Sequence, residues 1–153
     1  MKESFKLKIK NKSSSNYSIV GYGTFITRGY WKDKNNVEIC LVRDYIRIFP
    51  PGNWFPYVLP YKSSSFYALK FDVNKKELAN LDFYEGIADK YFERKTVKIL
   101  VNNKYMISAF IYVPSKSTIK SQKLTPEIDK NDLWKEEIKK FPEIVNIFPE
   151  LTL

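Results

Sequence analysis

The pattern that most constrains the architecture of this chain runs Val20-Gly21-Tyr22-Gly23-Thr24-Phe25. It closes a short apolar run that begins at Tyr17, and a glycine stands on each side of Tyr22. β-Branched and aromatic residues favour strands, whereas closely spaced glycines favour a turn. We therefore predict a core strand over residues 17–22 that ends in a tight turn.

Five further segments also have strand character. In each, β-branched and aromatic residues either predominate or alternate with polar residues. We predict strands at Val37–Phe49, Phe66–Val73, Phe92–Val101 and Tyr105–Val113, and an edge strand within Lys2–Lys12. Asn102-Asn103-Lys104 is predicted to be the turn of a β-hairpin between Phe92–Val101 and Tyr105–Val113. Prolines bracket an extended segment at residues 54–60, and Ser63-Ser64-Ser65 is predicted to be a loop.

The clearest helix follows Asn74. This residue is a good N-cap, Glu77 stands three positions later as in a capping box, and Leu78 and Leu81 have helical spacing. Gly86 is the expected stop. The sequence therefore predicts a helix from Asn74 to Tyr84.

The last forty residues contain more polar positions. We predict a linker or loop at Ser115–Gln122 and an amphipathic helix over residues 129–140 that Pro142 ends, within a helical tail at about 126–148. The expected class is α+β, a small mixed β-barrel with a few flanking helices. A length of 153 residues suits one domain, so we expect a single domain over residues 1–153.

Two residue types are nearly absent: the chain has no histidine and one cysteine, Cys40. Ser–His and Cys–His nucleophilic mechanisms are therefore excluded, as are zinc sites built from Cys and His. An acid–base group must be Asp, Glu, Lys or Tyr. A lone thiol fits a reducing compartment. The charged residues at the start of the sequence are unlike those of a signal peptide. No apolar run approaches the roughly 20 residues that span a bilayer. We expect a cytoplasmic protein without membrane association, metal or cofactor.

The formal net charge is +9, from 26 Lys and Arg against 17 Asp and Glu. Such an excess attracts anionic partners without specificity. Because the charges are spread from Lys2 to Lys140 instead of forming one block, the pattern disfavours a nucleic-acid partner. A basic β-barrel that stacks single-stranded nucleic acid on Tyr30, Trp31, Trp54 and Tyr57 is the corresponding alternative. The sequence does not indicate an oligomeric state.

Three segments together resemble one known family. They are Val20–Phe25 followed by Arg28-Gly29, the proline-flanked Phe55–Pro60, and Leu81-Asp82-Phe83-Tyr84-Glu85-Gly86 followed by Phe92-Glu93-Arg94. Their order and spacing are similar to those of the γ-glutamylcyclotransferase-like family, which includes γ-glutamylamine cyclotransferases and avirulence-induced plant proteins. The resemblance covers about residues 17–114.

The resemblance implies an enzyme that releases 5-oxoproline from a γ-glutamyl amine, amino acid or peptide. The substrate's own α-amine is the nucleophile in this family, so one carboxyl group can act as both base and acid. By resemblance that group is Glu85. The matching substrate-binding residues are Tyr22, Gly23, Thr24, Phe25, Phe92 and Tyr112. A catalytically silent member that binds a small anionic ligand in the same cavity is the second alternative.

The chain also departs from the family pattern. Phe92 stands where the family usually has tyrosine, so a phenol in the pocket is either missing or supplied by Tyr91 or Tyr112. Phe25 replaces the usual leucine. Arg94 is expected to form a structural ion pair. These changes do not indicate which γ-glutamyl compound is the substrate. Because Phe92 makes its side of the pocket less polar, we predict that small polar compounds are poor substrates.

Overall fold

A computed structural model describes residues 16–153 of the chain. The proposed edge strand within Lys2–Lys12 lies outside the described residues. The strands are β1 (Tyr17–Gly21), β2 (Asn35–Ile48), β3 (Tyr57–Val73), β4 (Phe92–Val101) and β5 (Tyr105–Pro114). The α-helices are α1 (Thr24–Thr27), α2 (Lys75–Tyr84), α3 (Lys116–Gln122), α4 (Trp134–Ile138) and α5 (Pro142–Ile147). Short 3-10 turns cover Tyr30–Asp33, Pro126–Ile128 and Pro149–Thr152.

The five strands form a closed barrel in the order β1-β3-β2-β4-β5. All neighbours are antiparallel except β1 and β5, which close the barrel in parallel through Ile19 and Phe110. The α+β prediction of a small mixed barrel with a few helices is therefore confirmed.

Alternation along each strand separates two of the three buried clusters of the core, because successive side chains point to opposite faces. Val20 and Ile111 belong to a cluster inside the barrel, whereas their neighbours Ile19 and Tyr112 belong to a cluster shared with the helices. The second cluster includes Leu78 and Leu81 of α2 and the buried apolar residues of α4 and α5, which are Trp134, Ile138 and Ile144. The helices therefore pack on the outside of the barrel.

Helix α2 begins as predicted. The Asn74 side chain accepts a hydrogen bond from the Glu77 amide at 2.8 Å, and the Glu77 carboxylate accepts one from the Asn74 amide at 2.8 Å. This reciprocal capping box satisfies two amides that a helix start would otherwise leave unpaired. No helix in the described part of the chain has the length and apolar character required to cross a membrane.

Three local predictions were wrong. Ser63-Ser64-Ser65 is not a loop, because β3 continues through it with a register shift against β2 and a positive φ of 71° at Ser63. The expected linker Ser115–Gln122 is helix α3, and Ser115 caps it by accepting a hydrogen bond from the Thr118 amide at 3.1 Å.

The expected helix over residues 129–140 is reduced to α4, and Pro142 does not end it. Pro142 occupies the first turn of α5 instead. Proline suits that position because the first amides of a helix have no intrahelical acceptor. The predicted helical tail at about 126–148 therefore consists of short separate helices.

Candidate active site

Glu85 lies at the C-terminal end of α2, where the backbone geometry is closely specified. The Ile87 amide donates to the Asp82 carbonyl at 3.1 Å and the Gly86 amide to the Phe83 carbonyl at 3.1 Å. This is the Schellman arrangement, and it places Gly86 in the left-handed region with φ of 70°. A Cβ atom on Gly86 would also lie 2.8 Å from the Tyr91 ring. Glycine at position 86 therefore allows the chain to turn directly after Glu85 and end the helix there.

Opposite Glu85, residues 22–25 form a turn that leads from β1 into α1, here called the Tyr22–Phe25 turn. In the described part of the chain, no protein acceptor pairs with the backbone amides of Gly23, Thr24 and Phe25. A Cβ atom on Gly23 would lie 2.7 Å from Pro56, so only glycine allows the turn to approach this segment. The turn thus presents the backbone amides of Gly23, Thr24 and Phe25 as free hydrogen-bond donors, and it packs closely against Pro56.

A buried arginine holds the Tyr22–Phe25 turn in place, and the sequence did not predict this role. Arg47 of β2 donates to the Tyr22 carbonyl at 2.7 Å, and its guanidinium forms two 2.8 Å hydrogen bonds to the Asp132 carboxylate. The Arg47 side chain is fully buried and that of Asp132 nearly so. This ion pair joins the turn to the C-terminal tail.

A cavity of about 590 Å³ lies at the end of the barrel where β1 and β5 finish and β3 and β4 start. All seven residues proposed from the resemblance line it: Tyr22, Gly23, Thr24, Phe25, Glu85, Phe92 and Tyr112. Within residues 16–153, Glu85 is the only charged residue in this lining. The remaining walls are mainly aromatic, so a carboxylate here has little solvation.

The environment of Glu85 changes its acidity. Burial raises the pKa of the Glu85 carboxyl from 4.5 to about 7, because desolvation disfavours the charged form. Burial, followed by the charge of Glu85, also raises the pKa of Tyr22. Glu85 can therefore exchange a proton near neutral pH, whereas Tyr22 keeps its proton.

This raised pKa predicts a pH-dependent stability difference between wild type and Glu85→Gln. The folded pKa lies above the unfolded one, so the carboxyl group destabilises the fold progressively as pH rises from 4.5 to about 7. Glutamine does not titrate. Chemical denaturation at several pH values should show the variant gaining stability relative to wild type across this window, with no further change at higher pH. A pH-independent difference would contradict the assignment.

The phenol groups near the cavity have different roles from those expected. The Tyr112 hydroxyl donates to Asp82 at 2.7 Å, and Asp82 also pairs with Arg94 at 2.6 Å, so Arg94 forms the structural ion pair that the sequence predicted. Tyr91 is more than half exposed. Neither of the two tyrosines expected to replace the missing phenol at Phe92 is a buried, free hydroxyl.

Tyr57 is the buried phenol beside Phe92, and sequence reasoning missed it as a site residue. The two rings stack with centroids 6.0 Å apart and an interplanar angle of 13°. Tyr57 lies in the proline-flanked segment of the resemblance, so its position next to Pro56 was the available signal. Thr118, Ser121 and Gln122 of α3 also line the cavity, and they were missed because α3 was taken for a linker.

The nucleic-acid alternative required four exposed aromatic side chains. Trp31 and Tyr57 are buried, and Tyr30 packs against the core. Of the four, Trp54 alone is largely exposed. Buried rings cannot stack on bases, so these residues do not form the stacking platform that the alternative needs.

Comparison with known proteins assigns the chain to a family. The family model described as gamma-glutamyl cyclotransferase, AIG2-like, matches residues 21–136, which include the turn, Glu85 and every lining residue of the cavity except Val20. The chain belongs to this family. The resemblance seen in the sequence is thereby confirmed, and the match extends past residue 114 to include α3 and Asp132. No protein with a curated description matches the chain in sequence.

Solved structures agree with the family assignment. A protein of Arabidopsis thaliana known from its solution structure is 17% identical, with a TM-score of 0.62 over 89% of this chain and 90% of that one. An AIG2-like protein of Mus musculus is 18% identical, with a TM-score of 0.55 over 74% and 82% of the two chains. A yeast gamma-glutamyl cyclotransferase specific to glutathione is 10% identical, with a TM-score of 0.57 over 89% of each chain. At these identities the likeness shows a shared fold.

Proposed function

We propose that this protein is a cyclotransferase that releases the γ-glutamyl group of a small molecule as 5-oxoproline, with Glu85 as its acid–base group. The observation that carries the proposal is the half-buried Glu85 carboxyl, which has a pKa of about 7 and, among the residues that the structure describes, is the one charged group lining the cavity. Family membership supports the reaction type. The substrate contributes the nucleophile, so the chain needs no activated serine or cysteine.

The proton transfers can be assigned to one residue. Ionised Glu85 takes a proton from the substrate's α-ammonium group, and the freed amine attacks the γ-carbonyl carbon to close a five-membered ring. Protonated Glu85 then donates that proton to the leaving nitrogen as the original amide C–N bond breaks. The new ring nitrogen loses its second proton to Glu85, which passes it to the released amine, so the products are 5-oxoproline and an ammonium ion and Glu85 returns to its ionised form.

The Tyr22–Phe25 turn supplies the second part of the mechanism. Its free amides are suited to hold the substrate's α-carboxylate or the oxyanion that forms on the γ-carbonyl oxygen. Amides can do this without a lysine or arginine in the cavity. Arg47 keeps these donors in place by holding the Tyr22 carbonyl. The aromatic walls at Phe25, Phe92 and Tyr112 exclude water around the reacting atoms.

A direct test incubates the protein with a panel of γ-glutamyl amines, amino acids and peptides and measures 5-oxoproline by mass spectrometry. For the best substrate, kcat/KM should fall tenfold per pH unit on the acidic side of an apparent pKa of about 7, because Glu85 must be ionised to accept the first proton. An acidic limb near 4.5, the ordinary value for this group, would contradict the role given to burial.

The silent-member alternative uses the same cavity. Free amides in the turn would also hold a small carboxylate without any chemistry, as in an anion-binding nest. The panel separates the two functions: calorimetric binding of a carboxylate ligand with no 5-oxoproline from any compound would favour the binding protein.

A further inference from the structure

A second cavity, also of about 590 Å³, lies beside the candidate active site, and Phe92 lines both cavities. Three of the side chains that line the second cavity are cationic, and they are Lys90, Arg94 and Lys116. Within residues 16–153, Glu93 is the only acidic residue in this lining. We call this second cavity the basic cavity.

The basic cavity lies in the part of the described chain that carries most of the positive charge. Residues 90–123 contain eight lysine and arginine residues against one acidic residue, a net charge of +7. The other residues that the structure describes contain 13 basic against 15 acidic ones. Such an uneven distribution attracts anions to one region of the surface.

Part of the charge in the lining is already balanced. The Arg94 guanidinium donates to the Asp82 carboxylate at 2.6 Å, and Glu93 pairs at 3.6 Å with a lysine outside the lining. Lys90 and Lys116 pair with no carboxylate in residues 16–153. The basic cavity therefore has two unbalanced positive charges, which match the charge of a dianion.

Hydrogen bonds hold together the two segments that carry these lysines. The Ser115 hydroxyl donates to the Lys90 carbonyl at 2.6 Å, and the Ser115 amide donates to the Tyr91 carbonyl at 3.1 Å. The Thr118 hydroxyl donates to the same Tyr91 carbonyl at 2.8 Å. The backbones at Lys90 and Lys116 are thus fixed beside one cavity, which lowers the entropic cost of binding an ion between them.

Arg94 and Ser117 add hydrogen-bond donors to this charge. The Arg94 guanidinium lies 4.6 Å from the centre of the Phe110 ring, which helps to hold it in place. A guanidinium has five N–H donors, and the bond to Asp82 uses one at Nη1. A phosphate monoester offers three strong acceptor oxygens and a charge of about −1.5 to −2 at neutral pH. A carboxylate has a single charge, so it would leave one lysine unbalanced.

We propose that the basic cavity binds a phosphate dianion, either the free ion or the phosphate group of a small monoester. The apolar side chains of Ile87 and Phe92 also line the cavity, so the organic part of an ester can pack against them. This site is distinct from the cavity that contains Glu85, and the inference does not depend on the proposed reaction.

Titration calorimetry of the wild-type protein with phenyl phosphate, inorganic phosphate and benzoate tests the ligand class. Above the second pKa of phosphate, which is about 6, phenyl phosphate should bind at least about tenfold more tightly than benzoate. Its affinity should fall below that pH, whereas that of benzoate should not. Tighter binding of phenyl phosphate than of inorganic phosphate would identify an ester as the ligand, and equal binding would identify the free ion. Absence of phosphate binding, or equal affinity for benzoate, would overturn the proposal.

Two double variants with the same net charge separate the cavity from general attraction. Lys90→Gln with Lys116→Gln should raise the Kd for phenyl phosphate at least about tenfold, because it removes both unbalanced charges. Lys98→Gln with Lys104→Gln is the matched control, because these exposed lysines lie farther along β4 and in the turn after it, outside the lining. All four side chains are exposed, so thermal unfolding should change little. Equal loss of affinity in the two variants would show that only the overall charge attracts the ligand.

The free amides of the Tyr22–Phe25 turn are a competing place for an anion, and amide NMR spectra of the wild-type protein distinguish the two. Phenyl phosphate should shift the signals of residues 90–94 and 115–117 while leaving those of residues 23–25 nearly unchanged. Shifts concentrated at residues 23–25 would place the anion in the candidate active site and overturn the proposal. This measurement requires no variant and no turnover, so it remains decisive if the proposed reaction fails.

Discussion

Glu85→Gln should reduce kcat for the best γ-glutamyl substrate by about 10⁴-fold or more. Loss of one general acid–base group typically costs about 10²–10⁴-fold. Under the proposed mechanism the same carboxyl serves both proton transfers, so we expect the upper end of this range or beyond. Glutamine preserves the volume and hydrogen-bonding capacity of the side chain but cannot carry the proton. Single-turnover measurement of 5-oxoproline isolates this step from product release.

Three comparisons make the result specific. Thermal unfolding of Glu85→Gln should match or exceed that of wild type, because the native carboxyl is desolvated. Ligand affinity should weaken far less than kcat, since under the proposed mechanism the Tyr22–Phe25 turn contributes most of the recognition. Glu93→Gln is the matched control, because this glutamate is exposed and pairs with Lys95 at 3.6 Å. Retained activity in Glu85→Gln would remove the proposed mechanism, and an unfolded variant would show Glu85 to be structural.

Asp132→Asn should lower the free energy of unfolding by about 3 kcal/mol, the largest stability change we predict. Asp132 is the sole carboxylate among the described residues that pairs with the buried guanidinium of Arg47. The substitution leaves that charge in the core without its counterion, and removing one partner of a buried pair is far more costly than losing a surface pair. Asparagine tolerates the positive φ of 53° at this position. Backbone strain therefore does not contribute to the change in the free energy of unfolding.

Denaturant titration measures the change, and Glu127→Gln serves as the matched control. Glu127 is exposed, so its neutralisation should change the free energy of unfolding by less than about 0.5 kcal/mol. Because Arg47 also holds the Tyr22 carbonyl, Asp132→Asn should weaken substrate binding at temperatures where the variant is still folded. A stability change as small as that of Glu127→Gln would show that the pair does not hold the tail to the turn.

Local signals in the sequence were sufficient for most of the secondary structure. The capping box at Asn74 and Glu77 depends on residues three positions apart, and the hairpin at Asn102–Lys104 depends on adjacent ones. Such interactions are encoded within a single turn, which explains why their positions were predicted closely. The errors fell where one local pattern permits two structures. A serine run suits a loop or an exposed strand, and a proline can follow one helix or open the next.

By itself, then, the sequence predicted the α+β class, β1, β2, β4 and β5, the C-terminal half of β3, α2 and, through the order of its motifs, the family, and it singled out Glu85 as the candidate acid–base group. Only the tertiary structure decided what surrounds Glu85. The pKa of about 7 arises from burial by side chains that the barrel brings to one end. The Arg47–Asp132 pair joins residues 85 positions apart, and Tyr57 meets Phe92 from another strand. Desolvation and ion pairing act through space, so the spacing of residues along the chain cannot encode them.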